Sequence, residues 1–210
     1  YRLVSLLDLI SFLTSHSEQY EEVLKATNDM KAAVRFFKKD YVNGNNYGID
    51  TNSIYVGGIS SGGITAIHAA YIDDISDLPT SPIDVQAIAN SFGGLEGDAG
   101  NFGFSSQVHG IINFAGGIQQ LSWIDNQDEP IFSAQGDDDV VVNYYCGPGL
   151  NNPSVLDLCG LGEIHPICNN LGVINQSLTF YNTDHNWVVG NSQIEFLQAI
   201  DSASSFLYPL

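Results

Sequence analysis

The segment Gly58-Ile59-Ser60-Ser61-Gly62 constrains the fold more than any other stretch of this 210-residue chain. It follows a short apolar run at 53–58, which is typical of a buried strand, and it precedes a helical pattern over about 60–72. The glycines two positions before and after Ser60 predict a turn so sharp that side chains at those positions would clash. A strand that turns directly into a helix favours an α/β architecture.

The rest of the chain continues this alternation of strands and helices. Short strands are predicted at 108–114, 130–135 and 176–181. Helices are predicted at 20–39, 83–89 and 191–206. The predicted apolar face of the first helix consists of Val23, Ala26, Met30, Ala33, Val34 and Phe37. That of the last helix consists of Ile194, Leu197, Ile200 and Ser204. We therefore predict a mostly parallel sheet flanked by helices, in one domain that spans residues 1–210.

Residues 143–176 are rich in glycine, proline and asparagine and are too long for a simple connection. They predict an excursion that acts as a lid or binding loop. All three cysteines, Cys146, Cys159 and Cys168, lie in it. One disulfide and one free thiol are expected, and three pairings are open; three reduced thiols are the alternative in a reducing compartment.

The charge of the chain excludes several classes of partner. The formal net charge is -18, and every lysine and arginine lies at or before position 39. Such a surface repels nucleic acid and anionic membranes, and no apolar run is long enough to span a bilayer. Acidity and the loop cysteines together predict a secreted or periplasmic protein. The cysteine spacing does not match a zinc site, and no metal or cofactor is expected.

The pattern G-x-S-x-G around Ser60 predicts a nucleophilic serine on a strained elbow. Ser60, unlike Ser61, has glycine two residues away on both sides. The backbone N–H of Ser61, at the start of the following helix, is predicted to stabilise an oxyanion. A flexible turn is one alternative; a phosphate-binding loop is disfavoured because no basic residue lies near.

A nucleophilic serine needs a base and an acid that orients the base. Asp137–Asp139 follows the predicted strand at 130–135, and we select Asp139; a solvated turn or a calcium site is the alternative for this run. His185 follows the last predicted strand and is selected as the base. The other four histidines lie before or on predicted helices, at a strand start or in the excursion: His16, His68, His109 and His165.

Five separate blocks of the chain resemble the α/β-hydrolase superfamily, in particular bacterial carboxylesterases and lipase-like enzymes. They are "DMKAAVRFF" (29–37), "YGIDTNSIYVGGISSGG" (47–63), "VHGIINFAGGI" (108–118), "PIFSAQGDDDVVVNYY" (130–145) and "DHNW" (184–187). The resemblance implies a triad of Ser60, His185 and Asp139 and hydrolysis of carboxylic esters through an acyl-enzyme. A serine peptidase or a polyester or sugar-ester hydrolase has the same fold. A non-catalytic binding module is the alternative from another class.

The resemblance also raises an expectation about the beginning of the chain. The superfamily has several strands and a His-Gly-Gly-type loop before the first helix, and this chain contains no such tripeptide. We therefore expect about the first third of the usual domain to be missing, with about four strands left. The strand at 53–58 would then be an exposed apolar edge. Loss of the second oxyanion donor would cost about 10²–10³-fold in rate.

Overall fold

In the computed structural model of the chain, residues 11–188 and 193–210 are described. The α-helices are α1 His16–Val42, α2 Ser61–Tyr71, α3 Val85–Ser91, α4 Leu161–Leu171 and α5 Gln193–Leu207. The strands are β1 Val56–Ile59, β2 Ile111–Phe114, β3 Ile131–Gly136, β4 Cys146–Pro148, β5 Asp157–Cys159 and β6 Asn175–Phe180. Short 3₁₀ helices lie at Ile75–Asp77, Gly94–Glu96, Leu121–Trp123, Gly149–Asn151 and His185–Val188.

Four parallel strands form the main sheet, in the order β1-β2-β3-β6. This arrangement, with helices packed against the strands, confirms the predicted α/β fold. In the described part of the chain β1 pairs only with β2, so the strand that leads to Ser60 lies at the edge of the described sheet. Strands β4 and β5 form a separate antiparallel hairpin.

Alternate residues of the central strands enter two different apolar clusters, as the period of a strand requires. Ile111 and Ile131 pack in the cluster that holds residues of α1, α2 and α4. Phe114 and Phe132 pack in a second cluster with α5. The sheet is therefore covered on both faces, which is the arrangement that parallel sheets need.

Helix α5 packs on the sheet by a different face from the one predicted. Residues 191–192 of the predicted helix lie outside the described residues. Its buried residues are Ala199, Ala203 and Phe206, whereas Ile194, Leu197, Ile200 and Ser204 are exposed. The predicted face was wrong because phenylalanine and tryptophan rings already fill the sheet surface beneath α5. Two alanines let the helix approach these rings.

Helix α1 is also rotated relative to its predicted apolar face, of which only Val34 is buried. Lys31 and Arg35 lie on the buried side instead. Both contact the carboxylate of Glu96, at 3.6 Å and 2.7 Å. Pairing with Glu96 is what lets these cations be buried. No helix in the described ranges combines the length and the apolar content needed to cross a bilayer.

The predicted excursion at 143–176 consists of two different structures. Its first half contains the β4–β5 hairpin, closed by a disulfide between Cys146 and Cys159. Its second half is α4, which joins β3 to β6, so the prediction of one lid over the whole range was wrong after residue 160. Parallel neighbours require such a crossover helix. Cys168 of α4 is a free thiol buried in the core.

Candidate active site

Ser60 lies in a strained turn between β1 and α2. Its backbone has φ 54° and ψ −117°, a combination that non-glycine residues rarely adopt. The turn ends the edge strand and begins the helix within one residue. Although Ser60 is at the N-cap of α2, its hydroxyl makes no capping hydrogen bond. The hydroxyl is therefore available to another partner.

Close backbone packing explains one of the two predicted glycines at the elbow and corrects the other. A Cβ on Gly58 would overlap the backbone of Gly62. A Cβ on Gly62 itself would meet nothing within 4 Å, so the prediction that glycine is needed there for space was wrong. The second tight position is Gly63, where a Cβ would overlap the side chain of Asn113.

Three of the predicted residues form one continuous hydrogen-bonded chain. Nε2 of His185 lies 2.9 Å from Oγ of Ser60. Nδ1 of the same ring lies 2.7 Å from Oδ2 of Asp139. The three side chains come from the ends of β1, β3 and β6, which meet at the carboxyl edge of the sheet.

Asp139 is held by the turn that follows β3. Its Oδ1 accepts hydrogen bonds from the backbone N–H groups of Val141 and Val142, at 2.9 and 3.0 Å. Its side chain is fully buried. Asp138 is exposed, and Asp137 accepts a hydrogen bond from the N–H of Asn182 instead. The structure thus brings only Asp139 of this acidic run to His185.

The other described histidines make contacts away from Ser60. His68 is buried against Trp123, its Nδ1 is 2.7 Å from the carbonyl oxygen of Ile64, and burial lowers its pKa to about 4. His165 bonds Asn175, and burial lowers its pKa as well. His109 accepts a hydrogen bond from the N–H of Ile54. His16 is the first residue of α1.

Ser61 is the first residue of α2, and its side chain is exposed. The first N–H groups of a helix have no acceptor within the helix. They also lie at the positive end of the helix dipole. The position of Ser61 therefore suits its predicted role as an oxyanion donor. The N–H of Ser60, in contrast, donates to the carbonyl oxygen of Phe114 at 2.7 Å.

Two fully buried amides that support the site were missed in the sequence. Asn113 of β2 accepts from the N–H of Gly116 and donates to its carbonyl oxygen, at 2.9 and 3.1 Å. Gln135 of β3 donates to the carbonyl of Val142 and accepts from the N–H of Leu161. A polar residue within an apolar strand is the signal that could have identified both.

A cluster of carboxylates just before β3 was also missed. Asp128 is buried, and burial, aided by the negative charges of Asp125, Asp73 and Glu129, raises its pKa to about 8. Burial likewise raises the pKa of Glu129 to about 7. Within the described ranges, no group of three or more His, Cys, Asp or Glu residues is arranged to hold a metal ion.

The chain is similar to a known protein family and to several solved structures. A family model described as BD-FAE matches residues 9–152. Thermogutta terrifontis esterase 2, phosphoramylated by tabun, is similar with a TM-score of 0.63 and 16% identity, over 88% of this chain and 64% of that chain. Its butyrate-bound form has a TM-score of 0.63 and 15% identity, over 88% and 65%. A truncated carbohydrate esterase from gut microbiota has a TM-score of 0.56 and 16% identity, over 85% and 68%.

These structural likenesses show the fold. The chain spans about 64% of the length of Thermogutta terrifontis esterase 2. No curated relative matches the chain.

Proposed function

Because the chain belongs to the BD-FAE family and has the fold of known esterases, we propose that it is a serine hydrolase that cleaves carboxylic esters. The observation that carries this proposal is the chain of hydrogen bonds from Ser60 Oγ through His185 to Asp139, at 2.9 and 2.7 Å. A nucleophile, a base and an orienting acid in this order are what acyl transfer requires.

In the proposed first half-reaction, Ser60 Oγ attacks the acyl carbon of the ester and His185 Nε2 accepts the hydroxyl proton. The tetrahedral intermediate then collapses, the bond to the alcohol oxygen breaks, and His185 returns the proton to that oxygen. The alcohol leaves and an acyl-enzyme remains on Ser60. In the second half-reaction a water molecule attacks the acyl-enzyme by the same steps and releases the acid.

Asp139 has a positioning role in this scheme. A carboxylate at 2.7 Å from Nδ1 keeps the proton on that nitrogen and leaves Nε2 free to act as the base. It also stabilises the imidazolium that forms after proton transfer. The N–H of Ser61 is proposed to donate to the oxyanion, which develops only in the tetrahedral intermediate. No step in this scheme needs a cofactor.

We also propose that the protein is secreted or periplasmic. The disulfide between Cys146 and Cys159 supports this, because disulfides persist in oxidising compartments. The reaction scheme is the same for simple carboxylic esters, polyesters, sugar esters and peptides, because one triad can cleave all of them. The ester class is favoured by the likeness to esterases.

An active-site probe tests the proposal without a choice of substrate. Thermogutta terrifontis esterase 2 is phosphorylated by paraoxon, which makes an organophosphorus probe suitable here. We expect a fluorophosphonate to label Ser60, with the site located by peptide mass spectrometry. Labelling should disappear in His185→Ala and Ser60→Ala and persist in Ser177→Ala, which changes an exposed serine of β6. If a folded chain is not labelled at Ser60 even after the strands expected upstream are restored, the proposal is refuted in favour of a non-catalytic binding module.

A further inference from the structure

A cavity of about 240 Å³ reaches Ser61, the residue after the proposed nucleophile, and lies between α1, α2 and residues 146–159, which we call the hairpin segment. Its walls include Val23 and Ala26 of α1, Ile64 of α2, and Val155, Leu156 and Leu158 of the hairpin segment. A cavity needs only about 10–15 Å³ of such volume to hold one water molecule. The cavity is therefore large enough for a small organic group.

Most polar side chains in the cavity wall bond other protein groups, and Glu22 of the wall pairs with Lys25. Gln19 bonds the backbone of Phe12, Ser154 and Leu156. The hydroxyl of Thr65 donates to the carbonyl of Ser61 at 2.8 Å, and the hydroxyl of Tyr20 accepts from Gln119. The surface left to a ligand is almost entirely carbon. An apolar group gains most from such a surface.

The cavity runs along one stripe of α2, from Ser61 past Ile64 to His68. Seven residues of helix cover about 10 Å, so a linear chain that begins at Ser60 fits along this stripe. His68 remains neutral at neutral pH, because burial lowers its pKa to about 4. The far end of the cavity thus offers no charge to an anionic group.

The position of His185 decides whether the acyl part or the alcohol part of an ester lies in the cavity. The departing alcohol oxygen must lie within hydrogen-bond reach of His185 Nε2 to receive its proton. Neither His185 nor Ser60 lines the cavity, whereas Ser61, the residue after the nucleophile, does. The alcohol is therefore directed toward His185, and the acyl group extends along α2 from the oxyanion donor.

We propose that this cavity is the acyl subsite and selects uncharged, apolar acyl chains longer than acetyl. The inference rests on the proposed ester hydrolysis. It names Val23, Ala26 and Ile64 as specificity-determining residues. Burial of one more CH₂ group corresponds to ~0.8 kcal/mol, or about fourfold in kcat/KM, until the cavity is full.

Two series of esters test the assignment. In the first, p-nitrophenyl esters carry acyl chains from acetyl to dodecanoyl. In the second, the acyl group stays acetyl and the alcohol grows from methyl to octyl. We expect kcat/KM to rise about fourfold for each added methylene in the short acyl esters and to stay within threefold in the alcohol series. A flat acyl series, or a rise with alcohol length alone, would overturn the proposal.

A matched pair of variants locates the subsite. Ala26→Phe fills the cavity from α1 and should lower kcat/KM for octanoate at least tenfold more than for acetate. Ala33→Phe makes the same change at an exposed position of the same helix and should leave the octanoate-to-acetate ratio unchanged. If Ala26→Phe does not fold, Ala26→Leu gives a smaller loss in the same direction. Equal losses for both esters in a folded variant would refute the subsite.

Labelling of Ser60 separates the two proposals. If the fluorophosphonate labels Ser60 and acetate esters are cleaved, a flat acyl series refutes the subsite alone. If Ser60 is not labelled and no ester is cleaved, the proposed function fails and the subsite fails with it.

Discussion

Oδ2 of Asp139 lies 2.7 Å from Nδ1 of His185, while two backbone N–H groups hold the other oxygen of the same carboxylate. These hydrogen bonds therefore hold the carboxylate of Asp139 in the orientation in which it faces the imidazole of His185. An amide at position 139 would keep the shape but could present an N–H to the ring and favour the wrong tautomer.

We expect Asp139→Asn to lower kcat for ester hydrolysis by about 10⁴-fold with an unchanged fold, because Nε2 of His185 would carry the proton. Steady-state kinetics on a short-chain p-nitrophenyl ester measure the loss. The matched control is Asp138→Asn, an exposed neighbour that should retain activity within about twofold. Similar losses in both variants would mean that the negative charge of the run, and not the contact with His185, matters.

The turn at Ser60 predicts opposite changes in stability for alanine substitutions at Gly58 and Gly62. Gly58→Ala places a Cβ against the backbone of Gly62, so we expect a loss of about 1–3 kcal/mol in the free energy of unfolding and weaker labelling of Ser60. Gly62→Ala meets open space in a helix and should stabilise the chain by up to ~1 kcal/mol. Urea denaturation monitored by circular dichroism compares the two. Equal destabilisation would contradict the close approach at Gly58.

The carboxylate cluster predicts that stability falls as pH rises from 6.5 to 8.5. The folded pKa of Asp128 is raised to about 8 and that of Glu129 to about 7, so the native state holds protons that the unfolded state has already lost. Each such group lowers the free energy of unfolding by up to ~1.4 kcal/mol per pH unit until its folded pKa is passed. His68 and His165 oppose this change up to about pH 7.5, because their pKa values are lowered and the unfolded imidazoles still bind protons there. Their contribution is the same in the wild-type chain and in a variant of Asp128.

Melting temperatures at pH 6.5 and 8.5 measure this effect. Asp128→Asn should flatten the pH dependence, because the amide removes the titrating group. Asp201→Asn changes an exposed residue of α5 and should leave the slope unchanged. A wild-type chain that is more stable at pH 8.5 would contradict the prediction.

The three cysteines should be distinguishable by their reaction with a disulfide reagent such as DTNB. Cys168 is buried, and burial raises the pKa of its thiol to about 12, so the native protein should show no fast-reacting thiol. Unfolding in guanidinium should expose one thiol, and reduction followed by unfolding should expose all three. Two or more thiols without reduction would mean that Cys146 and Cys159 are not joined.

The chain order of strands and helices could be predicted because each short apolar run is bounded by turn residues. The glycines around Ser60 and the position of His185 after the last strand also selected two residues that the structure brings together. Parallel strands place their carboxyl ends at one edge, so residues that follow different strands meet there. This topological rule needs no knowledge of packing.

Packing is what the sequence did not reveal. Three large aliphatic residues of α5, Ile194, Leu197 and Ile200, are exposed, because two alanines fit against the sheet where larger side chains do not. The burial of Lys31 depends on Glu96, which is distant in sequence. The sequence predicted that only glycine fits at position 62, whereas in the structure a side chain would clash at Gly63 and not at Gly62. Each of these depends on a partner that local patterns cannot identify.

The position of β1 at the edge of the described sheet affects how the nucleophile is held. A ladder of four residue pairs, from Val56 with Ile111 to Ile59 with Phe114, joins β1 to the sheet. His185 and Asp139 follow the neighbouring strands β6 and β3, whose ladder has six pairs. Fraying of the shorter ladder would carry Ser60 away from a base and an acid that stay in place. Heat would then disconnect the triad before the fold melts, and activity would be lost at a lower temperature than ellipticity.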